Sequence, residues 1–261
     1  MLSPNINKRK TNVTVMVILI LPFMYSVISV LVCNITNESL FFAYGYELKS
    51  LTKQASIICI KKFLTNLVHT KFPSLVFVLL CYLCLHFSSC FNCLTQRVFN
   101  YSPEKFGPSQ QVDILRQKAK IDDIFENLQD VFSQPSVFVT ITHLLTCCSL
   151  LGMSMVGGSF SKTNAVKAVF YSVPNFVSLI ALLWIAGGLT EEQNKLKSAF
   201  DKRAHSRFLI IFPSEEQQCK REILDRTAFV LNGGNTFSYT RNSILALFGT
   251  LLTYSLLIYK S

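Results

Sequence analysis

Charged residues are scarce in this sequence. Only 15% of the 261 residues are Asp, Glu, Lys or Arg, and half are apolar, whereas a soluble domain carries roughly a quarter charged residues. This shortage excludes a water-soluble globule and predicts a polytopic membrane protein. The net charge is +10, but the basic residues lie between apolar runs rather than on one aromatic-rich face. Nucleic-acid binding is therefore not indicated.

The sequence also lacks the motifs of enzymes. No apolar run contains paired carboxylates, and neither a nucleophile motif nor a phosphate-binding loop occurs. The nine cysteines include Cys81-x-x-Cys84 and Cys90-x-x-Cys93, but the spacer between the two pairs is short and apolar, unlike that of zinc modules. We expect no enzyme activity, no metal site and no cofactor.

What the sequence does contain is a set of long apolar runs, at residues 13–33, 73–94, 136–156, 168–189 and 242–259. A helix that rises about 1.5 Å per residue crosses a hydrocarbon core of about 30 Å with about 20 residues. Each run therefore predicts a membrane-spanning helix, and Pro174 predicts a kink in the fourth. His86 and His143 lie inside spans, where a functional role and a packing role are both open.

Polar stretches separate the spans. Residues 40–71 mix lysines with apolar residues, which suggests an amphipathic helix on the outer surface. In residues 95–133 an apolar position recurs every seven residues, which indicates a long amphipathic helix that packs on partner helices. Residues 190–228 are the most basic block, and glycines at 233 and 234 break the chain before the last span.

The distribution of cations predicts the orientation. Lysine and arginine before the first span and in residues 190–228 predict that both segments are cytoplasmic. Five lysines between residues 49 and 71 predict the opposite orientation, but they are fewer. The N-terminus is then cytoplasmic and the C-terminus extracellular. The predicted fold is all-α, a polytopic membrane helix bundle with long cytoplasmic helical extensions. Its segments are two N-terminal spans with an extracellular loop (1–94), a cytoplasmic amphipathic helix (95–133), two middle spans (134–189), a basic cytoplasmic helical loop (190–235) and a C-terminal span (236–261).

One face of the last span is unusual. Positions spaced alternately by four and three residues form a single stripe along the helix. The members of this C-terminal stripe are Asn242, Ala246, Gly249, Thr253, Leu256 and Lys260. All except Leu256 are small or polar, so the stripe faces protein or water rather than lipid. Close helix packing and the lining of a pore are both open.

The end of the chain resembles the arthropod gustatory receptor family. Thr253-Tyr254 followed by five mostly apolar residues is similar to the family motif of Thr-Tyr, five hydrophobic residues and then Gln-Phe. Residues 232–259 also resemble the family's C-terminal region, with its broken last helix. The resemblance covers most of the chain, although only the end is specific. Lys260 departs from the motif, because it stands where the family has glutamine.

This resemblance implies a taste receptor in the plasma membrane. Members of the gustatory receptor family are tetrameric ligand-gated cation channels for small organic tastants, assembled from identical or related subunits. By this resemblance, the C-terminal stripe would line the pore. Family members have seven spans, and the five runs align with the third to seventh, so we expect the first two to be missing. No ligand-binding residue is assigned. Four copies of Lys260 near the outer end of a pore would repel cations.

Two other functions stay open beside the receptor channel. A truncated, non-conducting subunit or remnant would assemble only with full-length relatives. An unrelated small transporter would predict an internal repeat or paired charges at mid-membrane, and the sequence contains neither.

Overall fold

The chain folds almost entirely into helices in the computed structural model, which describes residues 8–156, 162–209, 223, 228–234 and 237–260. The helices are α1 (Lys8–Val32), α2 (Ile35–Phe42), α3 (Leu51–Asn66), α4 (Phe72–Asn100), α5 (Pro108–Val156), α6 (Lys162–Lys167), α7 (Val173–Phe208) and α8 (Asn242–Lys260). Two π turns (Leu67–Lys71 and Ala168–Ser172), a 3-10 turn (Pro103–Lys105) and the short strands β1 (Asn232–Gly233) and β2 (Phe237–Ser238) complete the described elements.

Four helical stretches are long and apolar enough to cross a membrane. They are Asn12–Val32, Leu51–Asn100, Pro108–Ser149 and Ala165–Phe208. These stretches overlap the first four predicted spans, so the chain is a multi-pass membrane helix bundle, as predicted. The fifth predicted span is also helical, because α8 runs for 19 residues. That α8 crosses the membrane remains a prediction, since its described apolar part is the shorter stretch Asn242–Tyr254.

Helices α5 and α7 each combine a polar segment with an apolar span in one continuous helix. Helix α5 has 49 residues, so at about 1.5 Å per residue it is about 73 Å long. It joins the predicted amphipathic helix to the third span in one continuous helix. Pro135, which lies near the predicted boundary between the two segments, is inside α5. Helix α7 likewise continues past the fourth apolar run to Phe208. Much of the basic loop that follows α7, at residues 210–222 and 224–227, lies outside the described residues.

Two prolines follow the π turns. Each turn ends two residues before a proline, namely Pro73 and Pro174. A proline in a helix has no N–H to donate, and its ring crowds the carbonyl four residues earlier. A π turn widens the helix locally and relieves that crowding. The kink predicted at Pro174 is therefore a π turn. The expected surface helix corresponds to α3, which continues through the π turn Leu67–Lys71 directly into α4.

The chain divides into two compact units. The first unit consists mainly of Leu80–Val137 and Leu182–Ile244. Its core contains the edge-to-face ring pairs Phe87–Phe125 and Phe106–Phe200, with ring centroids 5.3 and 5.2 Å apart. These rings are buried, and they fix the polar helical segments of this unit against one another.

The break before the last helix also belongs to the first unit. Strands β1 and β2 pair antiparallel, with Asn232 opposite Ser238. Gly234 has a φ of +53°, a left-handed conformation that favours glycine, and its N–H donates to the Ser133 hydroxyl at 2.7 Å. The predicted break at these glycines is thus confirmed as a short hairpin.

The second unit consists of Asn7–Leu79, Phe138–Ala181 and Leu245–Ser261. Its core holds several aromatic contacts. The Tyr25 ring meets the Tyr171 ring edge-on at 5.0 Å, and the Phe77 ring meets His143 at 4.6 Å. Tyr25, Phe77 and His143 are all almost fully buried.

Candidate functional site

The C-terminal stripe is turned away from its own subunit. Asn242, Ala246, Gly249 and Thr253 are all exposed, as is Tyr254 of the family motif. A Cβ atom built on Gly249 would have no heavy atom within 4 Å. The side chains of the remaining stripe residues, Leu256 and Lys260, lie outside the described part of the chain. No described stripe residue is therefore buried by packing within its own chain.

The opposite side of α8 carries its buried residues. Leu247 and Leu251, four residues apart, keep 8% and 7% of their accessible surface. Phe248 meets Phe176 edge-to-face with ring centroids 5.4 Å apart. Beside these contacts is an apolar cavity of about 370 Å³ lined by Cys147, Ser172, Val173, Phe176, Phe248, Leu251 and Leu252. Helix α8 is thus attached along one narrow apolar strip.

The residue that precedes α8 is fixed to α7 within the first unit. Arg241 forms an ion pair with Glu191 at 2.8 Å, and its guanidinium lies 4.5 Å from the centroid of the Trp184 ring. A Cβ atom on Gly187 would lie 2.6 Å from Arg241 Cγ and 2.9 Å from its backbone nitrogen. Trp184 is therefore the aromatic partner of Arg241.

A larger cavity lies within the second unit and has a volume of about 540 Å³. We call it the tyrosine cavity. Its lining residues come from α1, α2, α3, α5, α6 and the π turn before α7. They are Tyr25, Phe42, Lys62, Thr65, Thr142, Leu145, Thr146, Ser149, Lys167 and Tyr171. Aromatic rings, hydroxyl groups and two ammonium groups thus share one space.

The two lysines of the tyrosine cavity differ in their partners. Lys62 Nζ lies 2.9 Å from Glu38 Oε2 and 5.5 Å from the centroid of the Phe42 ring. Lys167 is half-buried, and no ion pair to it occurs among the described residues. The cavity therefore carries one neutralised cation and one cation without a carboxylate partner in the described chain.

Other polar side chains are buried in the second unit. Lys71 is 1% exposed, and its ammonium group donates to the carbonyl of Phe170 at 3.5 Å. Both ring nitrogens of His143 lack a hydrogen-bond partner in the described structure. The observed contact of His143 is with Phe77, which is a packing role. His86 instead lies 3.6 Å from the Cys90 sulfur.

The structure brings together residues that the sequence analysis left unassigned. The tyrosine cavity was missed because its walls come from segments up to 146 positions apart in the chain, between Tyr25 and Tyr171. One local signal existed. Thr142, Thr146 and Ser149 follow a spacing of four and three, which places them on one face of α5. Among the described residues, no group of three or more His, Cys, Asp or Glu side chains could hold a metal ion.

Comparisons with known proteins bear on the fold. No protein-family profile and no curated protein matches the chain. Among solved structures the chain is similar to the insect olfactory receptor OR5 from Machilis hrabei in complex with eugenol. The match covers 97% of this chain and 68% of that one, with a TM-score of 0.67 and 14% sequence identity. At this identity the likeness shows a shared fold, that of a helical membrane bundle.

Proposed function

We propose that the chain is a taste receptor subunit, and that four such subunits form a cation channel gated by small organic ligands. The observation that carries this proposal is the exposure of the C-terminal stripe, whose described residues are all exposed and whose Gly249 faces open space. A small and polar helix face needs either water or close neighbours. Four copies of α8 around a central axis supply both.

The tyrosine cavity is the ligand site in this proposal. Its volume of about 540 Å³ lies within the usual range for small-molecule sites, roughly 300–1,000 Å³. Its walls combine aromatic surface from Tyr25 and Tyr171 with hydroxyl groups that fix a ligand's orientation. The similar fold of an olfactory receptor bound to eugenol supports a ligand of comparable size.

The proposed orientation places the N-terminus in the cytoplasm and the C-terminus outside the plasma membrane. Residues 95–133 and 190–235 then lie inside the cell. In this arrangement, the basic residues of α7 beyond the span face the cytoplasm, as the positive-inside rule requires. The tyrosine cavity, which includes Lys62 and Lys167, then lies near the outer side, where it is open to ligands.

The decisive experiment measures assembly and current with the same protein. The full chain would be purified in detergent and its mass determined, and the chain would be expressed alone in cells and tested with a panel of small organic compounds that includes eugenol. We expect four copies of the 29.5 kDa chain and a ligand-evoked cation current. A stable monomer would overturn the proposal.

A second candidate function follows from Lys260. Four ammonium groups at the position where relatives carry glutamine would oppose cation flow. The chain would then be a non-conducting subunit that assembles only with full-length relatives. Co-expression with an established gustatory receptor tests this alternative. Co-purification of the two, with neither a tetramer nor a current from this chain alone, would favour it over the homotetrameric channel.

A further inference from the structure

We propose that the tyrosine cavity selects organic acids, and that the ammonium group of Lys167 binds the ligand's carboxylate. This inference rests on the proposed function in one respect, namely that the cavity is the ligand site. It goes further by naming the chemical class of the ligand and the side chain that distinguishes it from neutral compounds.

The charge of the cavity wall is the first observation. Two of its lining residues are lysines, and none is an aspartate or glutamate. Glu38 neutralises Lys62 from beside the cavity, at 2.9 Å. Lys167 has no corresponding carboxylate within the described chain. Lys167 is half-buried, and an opposite charge stabilises a partly desolvated ammonium group, so an anionic ligand would complete this site.

The hydrogen-bond donors of the cavity are the second observation. The hydroxyl groups of Thr142 and Thr146 already donate to backbone carbonyls of α5, at 2.8 and 2.7 Å. They can accept from a ligand but cannot donate to it. A neutral acceptor or an anion must therefore be bound by Lys167 and by the remaining hydroxyls. Those hydroxyls belong to Tyr25, Thr65 and Ser149, because the Tyr171 side chain already forms hydrogen bonds with those of Asn66 and Tyr25.

The apolar part of the cavity defines the rest of the ligand. Phe42, Leu145 and the two tyrosine rings supply aromatic and aliphatic surface. A ligand that is complementary to both parts has one carboxylate and a compact apolar or aromatic body. Benzoate has this form, and benzamide has nearly the same size and shape without the charge. The two compounds are therefore the probes for this inference.

The test measures binding of benzoate and of benzamide to the full-length protein in lipid nanodiscs at neutral pH, by isothermal titration calorimetry. A charge-assisted hydrogen bond is stronger than a neutral one, so we expect benzoate to bind at least about tenfold more tightly. In the Lys167→Met variant this preference should disappear while benzamide affinity stays unchanged. Lys167→Arg, which keeps the charge, should retain most of the preference.

Lys162→Met is the matched control. Lys162 is exposed and lies at the start of the same short helix α6, so its removal changes the net charge equally without altering the cavity wall. We expect it to bind benzoate like the native chain. Equal affinity for both probes, binding of neither, or an equal loss in the Lys162 variant would overturn the inference. Tetramer mass and current evoked by any compound of the panel do not depend on that result and test the proposed function separately.

Discussion

Gly187 and Gly188 are neighbours on α7, but packing leaves no room for a side chain at only one of the two positions. A Cβ atom on Gly187 would come within 2.9 Å of the backbone nitrogen of Arg241, whereas the nearest heavy atom to a Cβ on Gly188 is Arg241 Nη2 at 3.7 Å. A backbone atom cannot move aside as the end of a side chain can. The absence of a side chain at Gly187 therefore allows the chain just before α8 to lie against α7.

Alanine substitutions at these two glycines should have opposite effects. Gly188→Ala should leave stability unchanged or raise it, because alanine favours a helix over glycine by about 1 kcal/mol. Gly187→Ala should lower the free energy of unfolding by about 1–3 kcal/mol, as overpacking does. Thermal unfolding of the two variants in the same detergent checks this. Equal melting temperatures would show that Arg241 does not lie against Gly187.

Lys71 compensates for a missing hydrogen bond in the neighbouring π turn. Pro174 has no N–H to offer the carbonyl of Phe170, four residues earlier. The ammonium group of Lys71 donates to that same carbonyl at 3.5 Å. A carbonyl buried without a donor is costly, so the buried lysine and the proline are expected to be energetically coupled.

A double-mutant cycle measures this coupling. Pro174→Ala restores a backbone N–H for the Phe170 carbonyl, so Lys71→Met should then cost about 1 kcal/mol less than it does in the native chain. Stability of the native, single-variant and double-variant proteins would be compared by denaturant unfolding. The exposed Lys61 on α3 serves as the control, since Lys61→Met should show no coupling to Pro174. Strict additivity for Lys71 would contradict the role assigned to it.

Among the elements, the helices could be predicted from hydropathy, but the backbone geometry at the prolines that connect them could not. Apolar runs predicted the four stretches that are long enough to cross a membrane. The seven-residue spacing predicted the polar part of α5, although the helix begins at Pro108 rather than at residue 95. Prolines did not behave alike, however. Pro73 and Pro174 each follow a π turn, whereas Pro135 lies within α5. Each proline deprives the carbonyl four residues earlier of its usual backbone donor. Whether a neighbouring helix supplies another donor depends on tertiary packing, which the local sequence does not encode.

Helix α8 offers a direct test of the face assigned to the pore. Ala246 and Leu247 are consecutive, but the first is exposed and the second is buried. In a variant background without reactive native thiols, Ala246→Cys should react with a membrane-impermeant thiol reagent when ligand is present, and the reaction should block the current. Leu247→Cys should remain unmodified. Faster modification at Leu247 than at Ala246 would assign the pore to another face.

For the whole molecule, composition was sufficient to predict the fold class. A chain that is half apolar and poor in charge must satisfy its backbone hydrogen bonds within helices. The solved neighbour has only 14% sequence identity and yet the same fold, which shows that hydropathy pattern rather than residue identity carries the architecture. The tyrosine cavity could not be predicted in this way, because it depends on which helices meet.

Orientation is the prediction that concerns the molecule as a whole. An epitope tag after Ser261 should be detected on intact cells, and a tag before Met1 should be detected only after permeabilisation. Lysines between residues 49 and 71 oppose this orientation, and the larger set of cations in residues 190–228 favours it. Detection of the N-terminal tag on intact cells would reverse the topology and would place the tyrosine cavity on the cytoplasmic side.

The narrow attachment of α8 has a mechanical consequence. Leu247 and Leu251 are the buried apolar side chains of its described part, and full burial of a leucine is worth about 1.5–3 kcal/mol. Rotation of this helix about its long axis would therefore have to overcome only a few kcal/mol. A ligand shifts such an equilibrium only by the difference between its affinities for the two positions of the helix, and tenfold tighter binding corresponds to about 1.4 kcal/mol. In the proposed channel, a ligand that binds the rotated form roughly a hundredfold to a thousandfold more tightly would therefore be sufficient to turn the last helix.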